Sequence, residues 1–101
     1  MFTTIRSYTG VPSITEDLKK HVREIETDIT TVPGFIAHYL VKTTDGAASV
    51  TICDDKSGCD ESTKRLELWL KKNLPNLKFG TPEVIAGEVS YNFKAPKTAK
   101  V

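Results

Sequence analysis

The spacing of the apolar residues changes several times along this chain, and the order of those changes restricts the fold more than any other feature of the sequence. One segment carries apolar residues at intervals of three and four positions, the spacing of one helix face: Ile14, Leu18, Val22, Ile25 and Ile29. Ser13 and Glu16 form the pattern of a capping box at its start. Because Pro33 disfavours a helical conformation in the residue before it, we predict one continuous helix that ends ahead of Pro33.

A second segment with helical spacing precedes Pro75. Its apolar residues lie on one side of the predicted helix: Cys59, Leu66, Trp69, Leu70 and Leu74. Asp60 and Glu61 fall in its predicted first turn and two lysines in its last, an arrangement that the helix dipole favours.

Four other segments are rich in β-branched and aromatic residues, which is typical of strands. They cover residues 2–8, 35–43, 47–53 and 83–93. A turn signal, Asp45-Gly46, joins the second and third strands and predicts a β-hairpin. The order β-α-β-β-α-β is that of an α+β ferredoxin-like fold, with a four-stranded antiparallel sheet and two helices on one face. We expect residues 1–93 to form this single domain and residues 94–101 to be a flexible basic tail.

The second and fourth predicted strands are apolar on both faces. In the second strand, the two alternating sets are Phe35, Ala37, Tyr39 and Val41, and Ile36, His38 and Leu40. A sheet that exposes one face to water carries polar residues on that face, so the sequence indicates that both faces are covered. We therefore predict a homodimer in which the open sheet faces of two copies meet.

The composition excludes several classes of protein. The 14 lysine and arginine residues against 13 aspartate and glutamate residues give a net charge of +1. The chain thus lacks the excess of basic residues that is typical of nucleic-acid-binding proteins, so we expect no nucleic-acid partner. The sequence has neither a signal-peptide pattern nor the roughly 18 consecutive apolar residues of a spanning helix, so we expect a cytoplasmic protein without a membrane partner. Cys53 and Cys59 lie six positions apart and are predicted to be ordinary thiols. We expect no metal site and no cofactor.

Three segments together resemble a known family. They are the strand Thr4 to Tyr8, the turn Val32-Pro33-Gly34-Phe35 and the closing strand Val84 to Val89. In this pattern, which spans residues 2–91, the chain resembles the dimeric α/β-barrel superfamily and its antibiotic biosynthesis monooxygenase-like group, in particular uncharacterised small bacterial members. That resemblance implies one of several activities, because the superfamily includes cofactor-free oxygenases, haem-degrading enzymes, isomerases and proteins without a known activity.

The resemblance can be compared residue by residue. Haem-degrading relatives use an Asn on the first strand, a Trp on the second helix and a His placed after that Trp. Trp69 could match the Trp, but residues 2–8 contain no Asn and no His follows His38, so we do not expect haem degradation. The oxygenase pattern implies Asn, Trp and Tyr in a pocket between helices and sheet, and the first three strands contain no Asn.

Five residues are candidates for a site. His38 lies in the middle of a strand and could accept a proton as a catalytic residue, or it could be a hydrogen-bonded histidine at the sheet or dimer interface. Trp69, Tyr39, Arg6 and Tyr8 could bind substrate. The alternatives are that Trp69 belongs to the core, that the tyrosines only pack, and that Arg6 forms a structural ion pair, for which Glu88 is a plausible partner.

Two functions remain open at this point. The first is a homodimeric α+β-barrel protein with a small pocket, acting as a cofactor-independent monooxygenase or isomerase on a small aromatic or polyketide-like molecule. The alternative is a non-catalytic small-ligand-binding or stress-associated module. The sequence does not decide whether the protein is an enzyme.

Overall fold

The computed structural model describes residues 1–78 and 80–96, and it has the predicted order of elements. They are β1 (Phe2–Thr9), α1 (Ile14–Lys19), α2 (Val22–Ile29), β2 (Phe35–Thr43), β3 (Gly46–Cys53), α3 (Lys56–Asn73) and β4 (Glu83–Glu88). The strands form one antiparallel sheet in the order β2-β3-β1-β4, with the helices packed on one face. The ferredoxin-like fold is therefore confirmed. Among the described residues, no helix is long and apolar enough to cross a membrane.

The predicted first helix is divided into α1 and α2, so the prediction of one continuous helix is wrong. The break lies at Lys20 and His21, where the His21 N–H donates to the Leu18 carbonyl three residues back, at 3.0 Å. The His21 ring meets the Trp69 ring edge-on at 5.2 Å between centroids. The change of direction removes Val22 from the predicted core face, and its side chain is 59% exposed.

The predicted capping box is also absent from α1. The Ser13 side chain makes no capping hydrogen bond. Glu16 instead accepts from Lys42 Nζ at 2.7 Å and from the Thr15 hydroxyl at 3.1 Å. Lys42 of β2 therefore binds the Glu16 carboxylate, which the local sequence pattern assigned to capping the start of the helix.

Helix α3 begins earlier than predicted, because Asp55 caps it. The Asp55 side chain accepts from the Gly58 N–H at 3.2 Å and from the Ser57 hydroxyl at 2.7 Å. Asp60 and Glu61 consequently lie beyond the first turn, which contains no acidic residue.

Strand β4 ends at Glu88 rather than at residue 93. Glu88 pairs with Phe2, the first residue of β1, and the next residue, Val89, donates its N–H to the Met1 carbonyl at 2.9 Å. Beyond this point β1 offers no further partner, and residues 89–96 form no strand. Residues 97–101 of the predicted tail lie outside the described residues.

The two sheet faces have different surroundings. On the helix face, buried side chains from β1, β3, the helices and the loop before α1 form the main core: Tyr8, Val11, Ile14, Leu18, Ala47, Trp69 and Leu70. In β2 a register shift between Phe35 and Ala37 moves Phe35 to the helix face, opposite Cys53. Phe35 therefore does not share a face with Ala37 and Tyr39, as regular alternation predicted.

Candidate functional site

A cleft of about 400 Å³ opens between α3, β1 and the loop that follows α3. Its apolar lining consists of Leu70, Leu74, Pro75, Leu77 and Pro82. Arg6 and Tyr8 reach it from β1, and Glu67 and Lys71 reach it from α3. We call this space the Arg6 cleft. A mostly apolar concave site with a few convergent polar groups is the usual form of a small-molecule site.

Arg6 is held in this cleft by two neighbours. Its Nη2 donates to Glu67 Oε2 at 2.8 Å and its Nε donates to the Tyr8 hydroxyl at 3.1 Å. The Arg6 side chain is 12% exposed, whereas that of Glu67 is 52% exposed. Burial by itself lowers the pKa of Arg6, but the Tyr8 hydroxyl and the Glu67 carboxylate outweigh it and raise that pKa. The guanidinium is thus an oriented, permanent cation.

The partner of Arg6 is therefore Glu67, and not Glu88 as the sequence suggested. Glu67 lies 61 positions along the chain from Arg6. Its spacing from Leu70 and Leu74 places it on the side of α3 that faces the cleft, and that spacing is visible in the sequence. Which strand this side of α3 meets is not visible there, so Glu67 was missed.

His38 occupies a different part of the molecule. It lies on the helix face of β2, where its Nδ1 is 2.9 Å from the Thr51 hydroxyl oxygen. Burial lowers the pKa of His38. Since β3 lies between β2 and β1, His38 does not line the Arg6 cleft.

Trp69 and Tyr39 also lie away from the cleft. Trp69 packs in the main core, and its Nε1 has no hydrogen-bond partner among the described residues. Tyr39 lies opposite Val50 on the open face of the sheet and is 58% exposed. Of the five residues singled out from the sequence, Arg6 and Tyr8 are the two that line the Arg6 cleft.

The described residues contain no group of three or more His, Cys, Asp or Glu side chains that could hold a metal ion. Cys53 and Cys59 are unpaired and buried. The Cys59 thiol donates to the Phe2 carbonyl at 3.4 Å, and burial raises the pKa of this thiol. A buried thiol that stays protonated is a poor nucleophile, so Cys59 is a poor candidate for a reactive residue.

A haem group does not fit the residues of the Arg6 cleft. Its described lining contains no histidine, and the one tryptophan of the chain lies in the core instead. The Tyr8 hydroxyl is already bonded to Arg6. The cleft thus lacks the histidine and tryptophan that the haem-degrading pattern requires.

The sequence matches no protein-family model and no curated protein. Solved structures share its fold. The haem degrader MhuD from Mycobacterium tuberculosis, with two haems bound in its active site, has a TM-score of 0.67 at 13% identity, covering 93% of this chain and 100% of that chain. A dimeric ferredoxin-like protein from an uncultured marine organism has a TM-score of 0.64 at 18% identity, covering 93% of this chain and 98% of that one. A variant of SnoaB, a cofactor-independent oxygenase from Streptomyces nogalater, has a TM-score of 0.58 at 12% identity, covering 93% and 95%.

These similarities concern the fold. The chain has the ferredoxin-like fold that these solved structures share, and the resemblance stated from its sequence is confirmed at the level of the fold. Because one fold carries many activities, the function has to be argued from the site.

Proposed function

We propose that this protein is a homodimer that binds a small aromatic or polyketide-like molecule in the Arg6 cleft, with an anionic oxygen of the ligand against Arg6. The observation that carries the proposal is the mostly buried and oriented guanidinium in an apolar cleft. Arg6 donates to described residues from Nε and Nη2 only, so Nη1 is available for a ligand oxygen. A charge-assisted hydrogen bond in such an environment contributes about 1.5–3 kcal/mol.

The cleft suits a flat apolar ligand. Three leucines and two prolines supply its walls, and its volume of about 400 Å³ is within the usual range of small-molecule pockets. The ring of Tyr8 lies beside the guanidinium, with the Arg6 Cζ 5.8 Å from the ring centroid. The apolar surface would bind the ring system, and Arg6 would orient its oxygen.

The enzymatic form of the proposal is a cofactor-independent oxidation or isomerisation. A cation that stabilises a phenolate or enolate lowers the free energy of the electron-rich species from which both reactions proceed. In the oxidation, dioxygen converts a CH₂ group of the ligand to a carbonyl, and the second oxygen atom leaves as water. The fold similarity to a cofactor-independent oxygenase supports this form.

A specific observation favours the second candidate, a non-catalytic binding module. Among the described residues, the ionisable side chains that line the cleft are Arg6, Tyr8, Glu67 and Lys71, and the Glu67 carboxylate is already paired with Arg6. His38, the residue best suited to accept a proton, lies in another part of the molecule. The cleft is thus better equipped to bind an anion than to remove a proton.

Binding and oxygen uptake with Arg6→Gln test the proposal. We expect 1,8-dihydroxyanthraquinone to bind the wild-type protein and Arg6→Gln to weaken that binding by about tenfold or more, because one charge-assisted hydrogen bond is lost. Arg23→Gln is the matched control, since Arg23 is an exposed arginine on α2 that does not line the cleft. Thermal unfolding of both variants checks that each is folded.

Oxygen uptake with 1,8-dihydroxyanthrone separates the two candidate functions. Uptake above the protein-free rate that is lost in Arg6→Gln but kept in Arg23→Gln supports the oxygenase. Ligand binding without uptake supports the binding module. Equal binding by the two variants contradicts the proposed role of Arg6.

The homodimer is supported by the open sheet face. Its central row joins all four strands through the pairs Ile85–Ile5, Ile5–Val50 and Val50–Tyr39. At the two ends of this row, Ile85 is 70% exposed and Tyr39 is 58% exposed. Among the described residues of this row and its two neighbours, only Glu83 at a corner is charged. Covering this apolar face with a second copy of the chain would remove it from water, which is favourable in free energy.

A further inference from the structure

A second set of cavities lies between α2 and β2, and one of them also reaches Ala37 and Tyr39 at the β2 edge of the sheet. One is about 370 Å³ and the other about 360 Å³, and both are lined by Val22, Ile25 and His38. We call the two together the α2 chamber. None of its described lining residues lines the Arg6 cleft. The chamber is therefore separate from the site described above.

The chamber walls are mainly apolar. One cavity is lined by Leu18, Leu40 and Leu66, and the other by Ile29 and Phe35. Helix α2, which roofs the chamber, buries only Ile29 among its described side chains, and Val22 is 59% exposed although it lines both cavities. The apolar face of α2 is thus only partly used by the protein itself.

His38 is the polar group common to both cavities. Its Nδ1 is bound to the Thr51 hydroxyl at 2.9 Å, which fixes the ring. No described residue bonds to Nε2, so this atom is available to a ligand. An imidazole held in this way offers one directional hydrogen bond within an apolar space.

The charges around the chamber favour an uncharged ligand. Burial lowers the pKa of His38, so the imidazole is neutral near pH 7 and cannot compensate an anion. At the rim, Lys42 is already paired with Glu16 at 2.7 Å. Lys19 and Glu26 also line the chamber and carry opposite charges, so its rim favours neither an anion nor a cation. Placing a charge against a neutral, partly buried imidazole costs free energy.

We propose that the α2 chamber is a second small-molecule site, which takes an uncharged amphiphile that has an apolar body and one hydroxyl or carbonyl oxygen. The apolar body lies between α2 and β2, and the oxygen bonds to His38 Nε2. The ligand completes the burial of two α2 side chains, Val22, which is 59% exposed, and Ile25, which is partly buried.

The test is a titration with 4-butylphenol, followed by the NMR shifts of the His38 ring and of the Val22, Ile25 and Leu40 methyl groups. We expect saturable shifts at these residues. Val22→Trp fills the chamber and should weaken binding at least tenfold. His38→Leu removes the hydrogen bond and should weaken it by about five- to tenfold. Leu68→Trp, at a 56% exposed position on α3, is the matched control and should change affinity less than twofold.

Two further measurements make the result decisive. Because Val22 is largely exposed, Val22→Trp is expected to fold even if His38→Leu does not. Arg6→Gln should leave the 4-butylphenol shifts of the His38 ring and the Val22 methyl groups unchanged, which separates this site from the Arg6 cleft. The anion 4-butylbenzoate should not shift the His38 ring. Shifts that do not saturate, equal effects of Val22→Trp and Leu68→Trp, or equal binding of the benzoate in the chamber would overturn the proposal.

Discussion

At the scale of single residues, the surroundings of Gly46 and His38 have consequences for the stability of the fold. At Gly46, the first residue of β3, the backbone passes so close to Tyr8 that a Cβ atom would collide with the Tyr8 carbonyl oxygen. At His38, burial on the helix face sets the charge state of an imidazole. Both effects depend on residues that are distant in the sequence. Gly46 meets Tyr8 because β3 pairs with β1, and His38 lies beside Thr51 because β2 pairs with β3.

Gly46→Ala should destabilise the protein by about 2 kcal/mol or more, because the new methyl group displaces the β1 backbone. Gly80→Ala is the control, since a Cβ there meets nothing within 4 Å, and its effect should stay within about 0.5 kcal/mol. Urea unfolding measures both values. Equal destabilisation by the two substitutions would show that the close approach at Gly46 does not exist.

The lowered pKa of His38 predicts a loss of stability in mild acid. The ordinary value is 6.5, and burial lowers it in the folded state, so below pH 6.5 the unfolded chain binds a proton that the folded chain does not. The stability present above pH 6.5 is therefore lost as the pH falls from 6.5 toward the folded pKa. We expect urea unfolding of the wild type to show a larger loss between pH 7 and pH 5 than that of His38→Leu. An identical loss in the variant would exclude His38 as its source.

At the scale of elements, α3 begins at a side chain that accepts a hydrogen bond from its first turn, whereas α1 and α2 begin without such a cap. The capping residue of α3 is Asp55, and the neighbouring Ser57 hydroxyl and Gly58 N–H lower the pKa of Asp55. Ser13 has the residue type for the same role in α1 but makes no capping bond. The two positions therefore differ in function although both resemble caps in the sequence.

Asp55→Ala should lower the urea midpoint clearly more than Ser13→Ala, because only Asp55 accepts a hydrogen bond from the first turn of its helix. Circular dichroism during urea unfolding gives both midpoints. Asp55→Asn tests the mechanism, since it keeps an acceptor oxygen and should recover most of the loss. A larger decrease in the urea midpoint for Ser13→Ala than for Asp55→Ala would show that Ser13 caps α1, as the sequence predicted.

At the scale of the whole molecule, the sheet has one face covered by helices and one apolar face that no described residue covers. Standard interfaces remove roughly 800 Å² from each partner, which a four-stranded sheet face can provide. The apolar row from Ile85 to Tyr39 supplies the driving force for the proposed dimer.

Ile85→Glu should convert the dimer to a monomer, because it places a charge on the central row of the open face. Leu68→Glu is the control, since Leu68 is 56% exposed on α3 and away from that face. Native mass spectrometry at micromolar concentration reports the assembly, and the thermal midpoint of the wild type should rise with protein concentration. A monomeric wild type, or equal effects of the two substitutions, would contradict the dimer.

The sequence by itself determined the order of the elements, the bounds of β2 and the hairpin that follows it. These features depend on side-chain periodicity and on turn residues such as Asp45-Gly46, which act over a few neighbouring positions. The alternation that places Arg6 and Tyr8 on the same side of one strand is also visible in the sequence. Two of the four described ionisable side chains of the Arg6 cleft could therefore be predicted.

The tertiary structure alone decided which of the predicted residues meet. His21, where the predicted helix is broken, contacts the Trp69 ring on α3, and the pairing of Arg6 with Glu67 spans 61 positions. His38 is separated from Arg6 because β3 lies between their strands. The physical reason is the same in each case: these contacts depend on how helices pack on the sheet and in which order its strands pair, and no local pattern of residues specifies either.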